Sequence, residues 1–209
     1  MNILKKLTLK KVAIVGAVLW LLVAYVFDQL AKPSAPAQFD GLAKAYSVEN
    51  TETQRKANDR QQLILNIQMS SASTDEERAA TMVQAALDAY REARKKPDSV
   101  AIFMRDNNTA FNGILSGQMG MLTLYVDGCG LLGDTCNGVH WDISVADNQQ
   151  PSQQEYEVIR LWNQNRSQFQ VNGMTDETAL KSFIGEQVGT PASDVSVFSY
   201  NLFAREYQL

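Results

Sequence analysis

Both cysteines and the single histidine of this chain fall between positions 129 and 140, so most of the reactive side chains gather in one short stretch. Cys129 and Cys136 are spaced C-x6-C, which is neither the C-x-x-C of thioredoxin-like redox motifs nor the paired C-x-x-C of zinc sites. The chemistry expected of them is a structural disulfide closing a short loop, as suits an oxidising compartment. The chain-entropy treatment credits such a closure with about 2–3 kcal/mol. His140 has Asp142 two positions on, hence on the same face of a strand, and Asp127 could lie across a hairpin from it. Together they have the residue types of a histidine–carboxylate general base. No serine is placed beside them, and neither a G-x-S-x-G elbow nor an S-x-x-K motif occurs. The plainer reading is an exposed or core-satisfied histidine, with a hydrolase using His140 and Asp142 or Asp127 as the alternative. A zinc site would need this one imidazole plus carboxylates, and Asp127, Asp134 and Asn137 do not have EF-hand spacing. Residues 113–120 lack the G-K-[ST] ending of a phosphate loop. No metal and no cofactor is expected.

These residues need a frame to hold them. Residues 121–127 and 139–145 have the composition of two strands of a hairpin, and the glycine-rich loop 128–138 runs between them. Residues 62–69 alternate, with Leu63, Leu65, Ile67 and Met69 on one face. Residues 46–52 suit a half-polar edge strand, and 99–104, apolar on both faces, a central one. Thr74 and Glu77 have capping-box spacing at the head of a helix expected over 75–95. Its apolar stripe is Ala79, Met82, Val83, Ala86, Leu87 and Tyr90. Ser152 and Glu155 repeat the box before a second helix, which Asn172-Gly173 is expected to stop. A third starts near Thr175, places Leu180, Phe183, Ile184 and Val188 on one face, and ends at Gly189 and Pro191. Residues 194–209 suit either a strand through Val195, Val197 and Ser199 or a helix through Phe198, Leu202 and Arg205; the strand is preferred. The order predicts an α+β fold, a mixed or antiparallel sheet carrying helices mainly on one face.

Ahead of this domain, residues 12–27 form an unbroken apolar run preceded by Lys5, Lys6, Lys10 and Lys11 and by no acidic residue. At 1.5 Å per residue the run is about 24 Å long, slightly short of a typical span. Snorkelling lysines and the flanking Leu7 and Leu9 extend it. The lysines hold the N-terminus on the cytoplasmic side. The expected plan is a basic cytoplasmic segment 1–11, a single-pass transmembrane signal anchor 12–31, a proline-stiffened linker 32–45 and an exported domain 46–209. Within the domain, 46–147 supplies the sheet and one helix, and 152–209 a helical part packed on it. The competing reading is a signal peptide cleaved at Ala35-Pro36-Ala37. Ala13 and Ala17 have small-xxx-small spacing, and a homo-oligomer is possible.

Without the four leading lysines, 15 basic residues face 23 acidic ones, a formal charge of −8. A domain so charged has no electrostatic reason to hold nucleic acid or an anionic lipid surface. Two N-x-[ST] sites, at Asn107 and Asn165, matter only where glycosylation machinery exists.

The stretch Tyr125-Val-Asp-Gly-Cys-Gly-Leu-Leu-Gly-Asp-Thr-Cys-Asn-Gly-Val-His-Trp141, preceded by a β-β-α-β layout, resembles a family of uncharacterised bacterial single-pass proteins. The likeness covers about residues 46–147 and implies no activity and no functional residues. The function expected is a membrane-anchored periplasmic interaction domain at the bacterial inner membrane, an accessory or assembly subunit of an envelope complex with protein partners. A periplasmic small-molecule binding module is a further alternative. The expected contact surfaces are loop 128–138, with Asp127, Gly128, Gly130, Gly133, Asp134 and Asn137, and the turn-rich 106–113, because rigid exposed loops commonly carry recognition.

Overall fold

Alternating side chains and β-branched residues build a six-stranded mixed sheet in the computed structural model of the protein. The structure describes residues 20, 32–69, 74–108, 117–126, 128–130, 136 and 138–209. The chain divides into two units, Met1–Ser34 and Ala35–Leu209. In the first, Trp20 is helical and exposed. Among the described residues no helix is long and apolar enough to cross a membrane. Apart from Trp20, the apolar run lies outside them, as do Lys5, Lys6, Lys10 and Lys11.

In the second unit, β1 (Ser47–Arg55) pairs antiparallel with β2 (Gln61–Met69), and β2 pairs parallel with β3 (Ser99–Asp106). Parallel neighbours need a crossover, and α1 (Asp75–Glu92) supplies it. β4 (Gln118–Tyr125), β5 (His140–Val145) and β8 (Arg205–Gln208) then add antiparallel. The α+β class, the edge position of β1 and the inner position of β3 agree with the sequence reading.

Register sorts the side chains into two faces. Leu65, Ile67, Val100, Ile102, Met104, Leu122, Leu124, Trp141, Ile143 and Val145 share one face and are buried with α1. Helix α1 lies so close to the sheet that a Cβ on Gly120 would stand 2.7 Å from the Met82 side chain. Both flanks of α1 are covered too, since Arg78, Ala80, Thr81 and Ala85 are buried beside the expected stripe.

One reason is the segment expected to act as a linker. From Ala35 onward it packs against the domain instead. Ala35, Leu42 and Tyr46 pack on the core, and the backbone of Lys44 donates to Thr81 Oγ1 at 2.9 Å. Phe39 is 4% exposed and meets Tyr207 of β8 edge-on at 5.3 Å. Burying its aromatic ring outweighs the freedom a proline-flanked linker would keep.

The capping boxes at Thr74–Glu77 and Ser152–Glu155 both form. α1 ends at Glu92, not near Lys95, because the Lys96 ammonium turns back to the carbonyl oxygens of Tyr90, Arg91 and Ala93. α2 (Gln153–Asn165) and α3 (Glu177–Val188) form a second core through Val158, Leu161, Leu180, Ile184 and Val195. Between them Asn172-Gly173, both at positive φ, turns a small hairpin of β6 (Gln170–Val171) and β7 (Met174–Thr175). The helix has already ended at Asn165, so this pair is a hairpin turn and not a helix stop. The tail differs as well. Residues 195–201 form neither strand nor helix, because Val195, Phe198 and Tyr200 are each buried and do not alternate; the strand comes later, at Arg205–Gln208.

Gly185 of α3 faces the carbonyl oxygen of Thr190, 2.4 Å from where a Cβ would lie. Backbone must move to admit it, so Gly185→Ala is expected to cost about 2 kcal/mol, read as a lowered urea midpoint with unchanged slope.

Candidate functional site

The face of the sheet turned away from α1 is polar at one end, and register places its residues in a row. Gln62 of β2 pairs with Ser99 of β3, Ser99 with Tyr125 of β4, and Tyr125 with His140 of β5. Aligned residues share a face, so four polar side chains run side by side across four strands. The next row continues Ile64, Ala101, Thr123 and Asp142. His140 and Asp142 meet as their spacing predicts, His140 Nε2 lying 3.0 Å from Asp142 Oδ1. The Tyr125 ring stands 6.3 Å from the imidazole, and Thr123 hydrogen-bonds the phenol. Burial and the Asp142 carboxylate push the Tyr125 hydroxyl above its ordinary pKa, the Thr123 bond opposing them, so it stays protonated and able to donate.

The row is bordered by the β1–β2 turn and by the disulfide loop. Cys129 and Cys136 are bonded, with Cα atoms 5.1 Å apart. Gly128 and Gly130, on either side of Cys129, have φ of 68° and 71°, the left-handed region open to glycine. Arg60 reaches from the β1–β2 turn to donate to the Gly128 carbonyl at 3.1 Å. Lys56, Arg60, Gln62, Ser99, Tyr125 and Gly130 enclose a cavity of about 130 Å³. Of the expected site residues, Cys129, Cys136, Gly128, Gly130, His140 and Asp142 thus come together at this end of the sheet. Asp127, Gly133, Asp134 and Asn137 lie outside the described residues.

Lys56, Arg60, Gln62, Ser99 and Tyr125 were not legible as site residues. They come from three separate segments, 56–62, 99 and 125, brought together by strand register, which has no local signal. Among the described residues no group of three or more histidine, cysteine, aspartate or glutamate side chains is arranged to hold a metal ion. A larger cavity, about 570 Å³, lies on the helix-covered face between β1–β2 and the end of α1, floored by Val48, Leu63, Leu65 and Ala89. Its described lining has neither histidine nor cysteine, and it is the margin of the core that α1 leaves uncovered.

A six-stranded mixed sheet with helices and a disulfide-pinned loop defines the class, an α+β domain. Residues 41–199 match the family described as Domain of unknown function (DUF4875), and the chain belongs to that family. Among solved structures it is similar to a DUF487 family protein from Desulfovibrio piger ATCC 29098, with 21% identity and a TM-score of 0.59 over 80% of this chain and 94% of that one. At that identity the likeness concerns the fold. Comparison with curated proteins returns no match.

Proposed function

We propose that this protein is a membrane-anchored interaction domain on the outer side of a bacterial inner membrane, serving as an accessory or assembly subunit of an envelope complex. The observation that carries the reading is the Cys129–Cys136 disulfide, a bond that persists in oxidising compartments, in a chain led by a lysine-flanked apolar run. Acidic net charge supports protein partners over nucleic acid. The disulfide loop and the turn-rich 106–113 are the proposed contact surfaces.

Thiol trapping tests the location. Cells quenched in acid and treated with a bulky maleimide are expected to yield a full-length chain that gains mass only after reduction. Labelling of both cysteines without reductant would place the domain in the cytoplasm and end this reading. Alanine substitutions across both loops are expected to abolish capture of partners from detergent-solubilised membranes, and an unchanged set of partners would remove the surface assignment.

The His140–Asp142 hydrogen bond favours one second reading, a hydrolase of envelope polymer or peptide. It requires an activity that His140→Ala destroys.

A further inference from the structure

The 130 Å³ cavity at the end of the polar row has an unusual lining for an acidic protein: two cations, Lys56 and Arg60, two hydroxyls, Ser99 and Tyr125, and the Gln62 amide, with no carboxylate among its described residues. We propose that it is a binding site for a single oxyanion group, a phosphate or a carboxylate, presented by a small ligand or by the end of a larger one. This stands apart from the proposed function, since it does not depend on where the domain resides.

Size sets the ligand class. Sites that enclose a whole organic ligand measure about 300–1,000 Å³, whereas this one has the room of about four waters. It accommodates one oxyanion and excludes a nucleotide or sugar ring. Chemistry sets the sign. Ammonium and guanidinium groups cannot accept hydrogen bonds, and hydroxyl and amide groups turn to donate when an anion is present. Charge-assisted bonds of this kind are the strong ones, and guanidinium and ammonium are the usual partners of phosphate and carboxylate.

Geometry supplies pre-organisation. Ser99, 8% exposed, is fixed in an inner strand, and the register that aligns Gln62, Ser99 and Tyr125 brings their side chains to one place. Arg60 is held by the Gly128 carbonyl, and the loop bearing Gly128 and Gly130 is closed by the disulfide. Lys56 donates to the Gln54 amide oxygen at 3.0 Å, a neutral, half-buried partner that an anion can replace. The cations are therefore gathered and partly immobilised before any ligand arrives, which lowers the entropy lost on binding.

The test is calorimetric titration of the full-length chain in mild detergent with inorganic phosphate and separately with acetate, at constant ionic strength set with chloride. Saturable millimolar binding of at least one is expected. Phosphate alone would assign a phosphate-bearing ligand, acetate alone a carboxylate. Either should weaken about tenfold or more in Lys56→Ala and in Ser99→Ala, each losing a donor to the anion. Circular dichroism of both variants should match the parent, and Lys56→Arg should restore most of the affinity. No saturable binding of either ion overturns the site. So does binding unchanged in both variants, which would put the ion elsewhere.

Discussion

Replacing Arg78 with alanine is expected to destabilise the domain by about 3–5 kcal/mol, one of the largest losses any single side chain here should produce. The residue is 0% exposed, a charged group sealed inside α1's contact with the rest of the fold. Its Nη2 donates to the carbonyls of Ala146 and Asp147 at 2.8 and 2.6 Å and to Asn148 Oδ1 at 3.1 Å. Burial pulls the guanidinium pKa down, while Tyr200, Asp75, Asp147 and Asp106 around it pull it back. Removal would strand the buried Ala146 carbonyl, leave a cavity and unbalance the neighbouring carboxylates, and these penalties act together. Lysine keeps the charge, but its ammonium falls one bond short of the position of Nη2, from which all three acceptors are reached, so Arg78→Lys should recover only part of the loss. Urea unfolding of the full-length chain in detergent provides the measurement. A loss below about 1 kcal/mol would mean that Arg78 behaves as a surface charge does.

Loss of the disulfide should come next, at about 2.5 kcal/mol for a closure joining cysteines seven positions apart. The loop it closes has few apolar side chains of its own, and glycine raises the entropy of its open form. Cys129→Ser with Cys136→Ser, or reduction of the intact chain, should lower the unfolding midpoint alike. Since Arg60 holds the Gly128 carbonyl, the polar row should lose its cover at the same time. Reduction that leaves the midpoint unmoved would show that packing alone fixes the loop.

Both predictions concern contacts that sequence reveals unequally. The cysteine pair was legible, because two cysteines with one spacing allow one partner each. His140 and Asp142 were legible as a pair for a similar reason: two positions along a strand return to the same face. The capped helices were legible because their start signals are local. Arg78 was not. It sits in a polar-looking turn of α1, and what buries it comes from about seventy positions away, at residues 146–148. The tail was misread because its buried residues pack in two separate cores with no period.

The first and last segments of the folded unit are neighbours. Phe39 lies on Tyr207, and Arg205 bonds Asp75 and Glu76 at the head of α1, both at 2.6 Å. Burial alone would raise the Asp75 carboxyl, but hydrogen bonding with Glu76, Arg205 and Asn148 holds it well below the usual carboxylate range. That contribution is present above the unfolded value near pH 4 and fades as acid protonates the carboxyl. Leu209 closes the ring by exchanging two backbone bonds with Trp141. An emerging polypeptide therefore cannot complete this structure in the order it is made: residue 39 leaves early and must wait for residue 207 before its ring is covered. Until then that edge of the Phe39 ring is uncovered, so the burial of the early segment is complete only once residues 205–209 have been made.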